Sequence, residues 1–296
     1  MKLQQIKGST YALESDTAAI GLYLFEDRSC LLIDSGPNQK QAAEVLQILG
    51  ESGWVIWGIF NTHAHADHCG GNQYIQKEQH CQILASEIEA TFINHPILTP
   101  YSMYSAHPIK LLTGKFLMPA PSQVSRIIGP GVQDINGIEF EILDLTGHSL
   151  GQLGIITPDG ILFVGDSLIA QNELELNPFL YVSDLGKQFE TMEMLRAKSH
   201  LSFYLSHGGE IENVPDIIDL NYGVLNDALH ILEDILRKPC TREEIMREVI
   251  ARKSLQVNRN HYFRLWASIS AFLSYLCDEG QAIIYTEDNY LKFSLK

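Results

Sequence analysis

The sequence predicts an α+β protein: a large domain with helices outside a sandwich of β-sheets, followed by a small unit of three helices and a hairpin. Three observations carry this. Short apolar, β-rich runs alternate with helix-like stretches over the first 210 residues. Five prolines interrupt that rhythm between about residues 92 and 125. Beyond residue 213 the apolar spacing turns helical. The division is therefore 1–213 for the large domain and 214–296 for the small one.

Strands are expected at 19–25, 29–34, 55–61, 139–145, 151–157, 160–165 and 202–206, with turn signals at Asp27-Arg28 and Pro158-Asp159-Gly160. Helices are expected at 40–50, 71–78, 87–93 and 185–197. The interrupting segment carries Pro96, Pro100, Pro108, Pro119 and Pro121, which forbid a long helix or a central strand. Its apolar content (Phe92, Tyr101, Met103, Tyr104, Phe116 and Met118) predicts an ordered lid rather than a disordered insert. Tyr101, Tyr104 and His107 in this segment, and Tyr181 further on, are candidates to border a substrate pocket, although aromatic residues in a lid more often only pack.

In the small unit, Ile217, Leu220, Val224, Ala228, Leu232 and Ile235 stripe one helix. Thr241 and Glu244 form a capping box for a second, and Tyr262, Leu265, Trp266, Ile269, Phe272, Leu273 and Leu276 stripe a third. Runs 282–285 and 290–294 flank Glu287-Asp288-Asn289 as a hairpin. Three helices and a hairpin make a winged-helix-like pattern.

The net charge of −15 is concentrated in residues 1–237, with 12 Lys+Arg against 29 Asp+Glu; residues 238–296 hold 9 against 7. So acidic a body repels polyanions, and an excess of two positive charges around Arg252, Lys253, Arg259 and Arg264 is a weak basic patch. Nucleic acid is therefore disfavoured as a partner, and a small neutral or weakly charged molecule is expected; the tail then packs beside the site or makes a homodimer contact. No run of eighteen apolar residues is present, so no membrane span is expected. Five scattered cysteines, Cys30, Cys69, Cys81, Cys240 and Cys277, suit reduced thiols in a cytoplasm.

Residues His63, His65, Asp67 and His68 put three imidazoles and a carboxylate within six positions. Neutral imidazole nitrogen and carboxylate oxygen are the preferred ligands of zinc, and of iron or manganese, at catalytic sites. The apolar run from Trp54 to Phe60 precedes them, and Gly70 and Gly71 follow. His148, Asp166 and His207 each follow a further expected strand and sit in glycine-containing loops. Four strand ends thus deliver ligand-type residues, and strand ends are where sheet proteins assemble sites. Cys69 is read as a packing residue.

On these motifs, from roughly residue 10 to residue 212, the chain resembles the metallo-β-lactamase fold superfamily. The resemblance implies a four-layer αββα sandwich and two divalent metal ions, zinc first, with iron or manganese as alternatives. It implies that His63, His65 and His148 hold one ion, that Asp67, His68 and His207 hold the other, and that Asp166 bridges them. Asp34 matches an early aspartate that orients a ligand histidine. Asp67 and Asp166 are the implied catalytic carboxylates, with a metal-bridging hydroxide as nucleophile.

Within the superfamily, Asp166 stands where the lactamase branch has Cys, and His65 where the flavodiiron branch has Glu. Only 40 residues separate Asp166 from His207, too few for the inserted domain of the RNA-processing nucleases. The glyoxalase-II-like branch (hydroxyacylglutathione hydrolase-like) remains, with the winged-helix-like tail in place of a glutathione-binding domain. It implies hydrolysis of a small thioester, ester or lactone. The alternatives are a single-strand-specific ribonuclease or nucleic-acid-binding protein acting through the tail, and a mono-iron sulfur dioxygenase.

Overall fold

The computed structural model describes residues 1–211 and 213–296. Two sheets form its centre. The first joins seven strands in sequence order: β1 (Lys2–Lys7), β2 (Thr10–Glu14), β3 (Ile20–Leu24), β4 (Ser29–Ile33), β5 (Val55–Phe60), β6 (Gln82–Ala85) and β7 (Arg126–Ile127). From β4 onward its pairings are parallel, so each of those strands delivers its C-terminal end to the same edge. The second joins β8 (Gly131–Ile135), β9 (Ile138–Asp144), β10 (Leu153–Ile156), β11 (Ile161–Phe163), β12 (Ser202–Leu205) and β13 (Gly209–Ile211).

Period-two alternation assigns the layers. In β4, Leu31 and Ile33 point into the space between the sheets, among Phe60, Phe140 and Phe163. Cys30 and Leu32 point the other way, beneath α1 (Gln39–Glu51), α2 (Ala66–Cys69), α3 (Asn72–Gln79) and α4 (Glu87–Asn94). In the second sheet, Ile161, Phe163 and Tyr204 face inward. Leu162, Phe203 and Leu205 face a second helical layer. The result is helix, sheet, sheet, helix.

The proline-rich segment is not a plain loop. It holds α5 (Leu98–Tyr104) and a 3-10 turn at Lys110–Thr113. Pro100 lies within the first turn of α5, where a missing N–H costs least. Met103, Leu112 and Leu117 close on one another and on Tyr181 and Phe263.

In the second helical layer, α6 (Gln171–Leu176) and α7 (Leu185–Ala197) are followed by α8 (Val214–Ile235), α9 (Arg242–Arg252), α10 (Arg259–Asp278) and the hairpin β14 (Ala282–Glu287) and β15 (Tyr290–Leu295). The Thr241–Glu244 capping box opens α9. Apolar contacts run without a break from Leu162 and Phe203 of the second sheet through Met192 of α7 to Ile218, Ile245 and Phe272. These C-terminal elements therefore share the core of the second sheet. Among the described residues no helix is long and apolar enough to cross a membrane.

Candidate metal centre

His63, His65, Asp67 and His68 lie where the chain leaves the buried end of β5 and turns through α2. The turn is tight: a Cβ on Gly70 would stand 2.2 Å from the Pro37 carbonyl oxygen, so only glycine fits. His148 follows β9, Asp166 follows β11 and His207 follows β12. The structure brings all seven residues together in two donor sets.

In the first set, His63 Nε2 and His148 Nε2 each lie 2.9 Å from His65 Nδ1. The outer nitrogens are fixed. His148 Nδ1 donates to the Tyr181 carbonyl at 3.1 Å, and His63 Nδ1 lies 3.0 Å from Thr62 Oγ1. The second set is Asp67, His68, Asp166 and His207. His68 Nε2 is 3.2 Å from Asp166 Oδ1, and His207 Nε2 is 3.3 Å from Asp67 Oδ2 and 3.6 Å from Asp166 Oδ1. The other oxygen of Asp166, Oδ2, is 3.5 Å from His148 Nε2, so this carboxylate faces both sets.

Burial dominates the proton affinities on the first side. It pushes His65 down to about 3, with His148 adding to the effect, and His148 down to about 4, against the pull of Asp166. His63 falls well below the usual range, through burial and then through His68 and His65. On the second side, burial pulls His68 down but is outweighed by Asp166, Asp34 and Asp67, which hold it well above the ordinary value. Asp166 raises His207. Burial opposes ionisation of Asp166 and Asp67, yet His68 above all keeps both carboxyls below the ordinary range.

This donor set fits cations. Three ring nitrogens converge within 2.9 Å contacts, the donor type and spacing that a cation such as zinc takes from histidine. The buried His68 Nε2 and Asp166 Oδ1 face each other at 3.2 Å, and among the described residues neither makes a well-aligned hydrogen bond, as expected of atoms built for another ligand.

The supporting contacts are equally specific. Asp34 Oδ2 accepts from His68 Nδ1 and from Thr62 Oγ1, both at 2.8 Å, and Oδ1 accepts from the Thr62 N–H at 2.8 Å. Its φ of +66° is one that aspartate tolerates better than most residues. Three further polar residues carry no spacing signal in the sequence. Buried Glu89 accepts from the Ala64 N–H, Ser149 Oγ and the Gly151 N–H, joining two ligand loops. Buried Asn221 of α8 makes a two-way bond with the backbone of Ile169. Ser268 of α10 accepts from the Val182 N–H at 3.2 Å. Cys69 is buried and reaches the Ala64 carbonyl at 3.3 Å.

A cavity of about 1250 Å³ opens over the two donor sets, with walls from the insert, the Tyr181 segment and α10. Tyr181 lines it, its ring 5.3 Å from that of His65 and 5.4 Å from that of His148. Tyr101, Tyr104 and His107, candidates for the border of the pocket, are absent from its wall and exposed. The reason is the helical turn of α5. Met103 and Thr99 take the inward face, which puts Tyr101 and Tyr104 outside, and Tyr104 packs on Phe263 instead. From the insert, Thr99, Met103, Lys115, Phe116 and Leu117 line the cavity.

Residues 20–207 match the family description "Metallo-beta-lactamase superfamily". Curated relatives named hydroxyacylglutathione hydrolase include one from Erythrobacter litoralis (strain HTCC2594), 29% identical over 129 residues, covering 43% of this chain and 40% of the relative. Another, from Hyphomonas neptunium (strain ATCC 15444), is 28% identical over 160 residues, covering 53% and 47%. The chain thus spans less than half the length of these curated relatives. Among solved structures, a metallo-beta-lactamase family protein from Thermus thermophilus superposes with a TM-score of 0.76 at 18% identity, over 97% of this chain and 99% of the other. A beta-lactamase domain protein from Burkholderia ambifaria gives 0.77 at 15% identity, over 99% and 93%. Both report on the fold, which extends through the C-terminal helices. With the family match covering well over half of its residues, this chain belongs to the metallo-beta-lactamase superfamily.

Proposed function

We propose that the protein is a binuclear metal-dependent hydrolase of a thioester, ester or lactone. The observation that carries this reading is the shared Asp166 carboxylate, whose two oxygens face two separate donor sets at the floor of one cavity. His63, His65 and His148 would hold one ion, and Asp67, His68 and His207 the other, with Asp166 common to both; zinc suits this nitrogen-and-carboxylate set best. Bound there, the ions would supply an activated water and a Lewis acid for the acyl carbonyl.

The chain's own residues prepare that chemistry. Asp34 fixes the ring of His68, and the Tyr181 carbonyl holds the proton of His148 on Nδ1, so that Nε2 presents its lone pair. Asp67 is the more exposed of the two central carboxylates and is the group suited to orient a water or take its proton. Apolar wall residues such as Leu117, Phe179 and Val257 shield the reacting carbonyl from bulk water. The similarity to proteins named hydroxyacylglutathione hydrolase supports a thioester first.

The test is a metal assay combined with a substrate series. The purified protein should carry close to two transition-metal ions and hydrolyse members of a thioester and ester panel, and Asp166→Asn should lose most of that activity. A protein that binds no metal and gains nothing from added zinc, manganese or iron would refute the proposal.

A further inference from the structure

Arg264 stands on α10 at the wall of the cavity, alongside His65, His148 and Tyr181. Its guanidinium carbon lies 5.6 Å from the ring centroid of Tyr181 and 5.7 Å from that of Phe116. Because the Tyr181 ring itself touches the rings of His65 and His148, the arginine sits one aromatic ring away from the first donor set. Its positive charge is felt at both histidines.

The side chain is half-buried, and among the described residues it makes neither an ion pair nor a hydrogen bond; its close partners are two aromatic faces. The other cations of the wall differ. Lys253 is already paired with Asp227, while Lys115 stands exposed. An arginine partly removed from water without an anion is costly. Aromatic faces recover part of that cost through the flat face of the guanidinium, but they leave its in-plane N–H edge unused. That edge is a fork of donors matched to a carboxylate or phosphate. In a chain of net charge −15, a cation held in this way is a selective feature rather than part of a general basic surface.

We propose that Arg264 is the oxyanion-binding residue of the substrate cavity, so that the natural substrate carries a carboxylate or phosphate on the part lying beside His65 and His148. This rests on the hydrolase reading only for the word substrate; the anion site itself does not require it. The size of the cavity and its apolar residues Phe116, Leu117, Phe179 and Val257 leave room for an organic group between the anion and the scissile carbonyl. The substrate class is then an acyl ester or thioester with an anionic tip, not a neutral one. Arg264 selects the substrate and takes no part in bond breaking.

The experiment compares three isosteric esters, one neutral, one tipped with a carboxylate and one tipped with a phosphate, on the metal-loaded wild type, Arg264→Met and Arg264→Lys. Wild type should prefer at least one charged ester over the neutral one by about ten-fold or more in kcat/KM, and which one it prefers identifies the anion. The ratio should collapse towards one in Arg264→Met and fall partway in Arg264→Lys, whose ammonium keeps the charge and loses the fork. Calorimetric binding of the non-hydrolysable ether analogues to the same proteins should show the same preference without turnover. Equal binding of charged and neutral analogues by wild type would overturn the proposal, as would a preference undiminished in Arg264→Met. If wild type hydrolyses none of the three esters, the hydrolase reading fails, and the calorimetric comparison still decides the anion site. Should Arg264→Met misfold, Arg264→Lys carries the same comparison, because it keeps the charge and removes only the fork, and an undiminished preference there would equally overturn the proposal.

Discussion

The carboxylate of Glu89 accepts a hydrogen bond from the backbone N–H of Ala64 at 2.8 Å, between two of the histidines of the first donor set. Its other oxygen accepts from Ser149 Oγ at 2.7 Å and from the Gly151 N–H at 2.9 Å, just beyond His148. One buried side chain thus sets the spacing of two loops that are far apart in sequence.

Glu89→Ala should therefore separate those loops. Three buried donors lose their acceptor, which costs about 2 kcal/mol or more of folding stability. Metal affinity should fall about 10–100-fold, the usual effect of losing a group that holds ligands in place. Urea unfolding and competition against a chromophoric chelator measure the two effects. Wild-type metal affinity in the variant would show that the loops hold their positions without Glu89.

His148 gives a pH prediction whose sign follows from its environment. Burial holds its folded-state proton affinity at about 4, against 6.5 for the free side chain. Between those values the unfolded chain carries a proton that the folded one lacks, so falling pH favours unfolding. The stability is fully present above about pH 6.5 and decreases by an amount on the order of 3 kcal/mol as the pH approaches about 4. In metal-free protein, His148→Ala removes this titration. The stability gap between wild type and variant should narrow from about pH 7 to about pH 5 in urea titrations. A gap that widens on acidification would contradict the assignment.

Two glycines make opposite predictions. At Gly147 φ is +136°, and a Cβ would lie 2.5 Å from Gln188 Cα, a backbone atom of α7 that cannot swing aside. Gly147→Ala should cost more than about 2 kcal/mol and disturb the adjacent His148. Gly223, inside α8, has nothing within 4 Å of the point where a Cβ would stand. Gly223→Ala should stabilise by about 0.5–1 kcal/mol. Denaturant midpoints of the two variants, moving in opposite directions from wild type, are the check.

The ligands were legible because their chemistry is local: His63, His65, Asp67 and His68 fall within six residues, and His148, Asp166 and His207 each follow an apolar run of strand length. Apart from Asp34, which the family resemblance supplied, the residues that hold them were not. Glu89 meets Gly151 across 62 positions and Asn221 meets Ile169 across 52, and a single polar residue on a helix carries no mark of so distant a partner. Strand β1 escaped notice because Lys2, Gln4, Gln5 and Lys7 leave it only two apolar residues, as an edge strand can, and without it β2 had no visible hairpin partner. Tyr101 and Tyr104, candidates for the pocket that more often only pack, lie outside its wall for a related reason. Prolines concealed the helical period of α5, and that period decides which side chains face inward.

Asn221 makes the sharpest test of how the C-terminal helices serve the site. Its amide donates to the Ile169 carbonyl at 2.8 Å and accepts from the Ile169 N–H at 3.0 Å, so α8 is clamped to the loop that begins at Asp166. Asn221 is buried, while Ile169 is partly buried and both line the cavity, so water can replace only part of what those bonds supply. Asn221→Leu fills the space and removes both partners, leaving a partly buried N–H and C=O without their protein partner at a total cost of about 1–2 kcal/mol. Loosening that loop should weaken metal binding while leaving the separate contact between Ser268 and Val182 in place. Hydrogen exchange should therefore rise at residues 166–170 and stay near wild type at residue 182. Equal acceleration at both segments would mean that the C-terminal helices detach as one body and that Asn221 has no selective hold on the Asp166 loop.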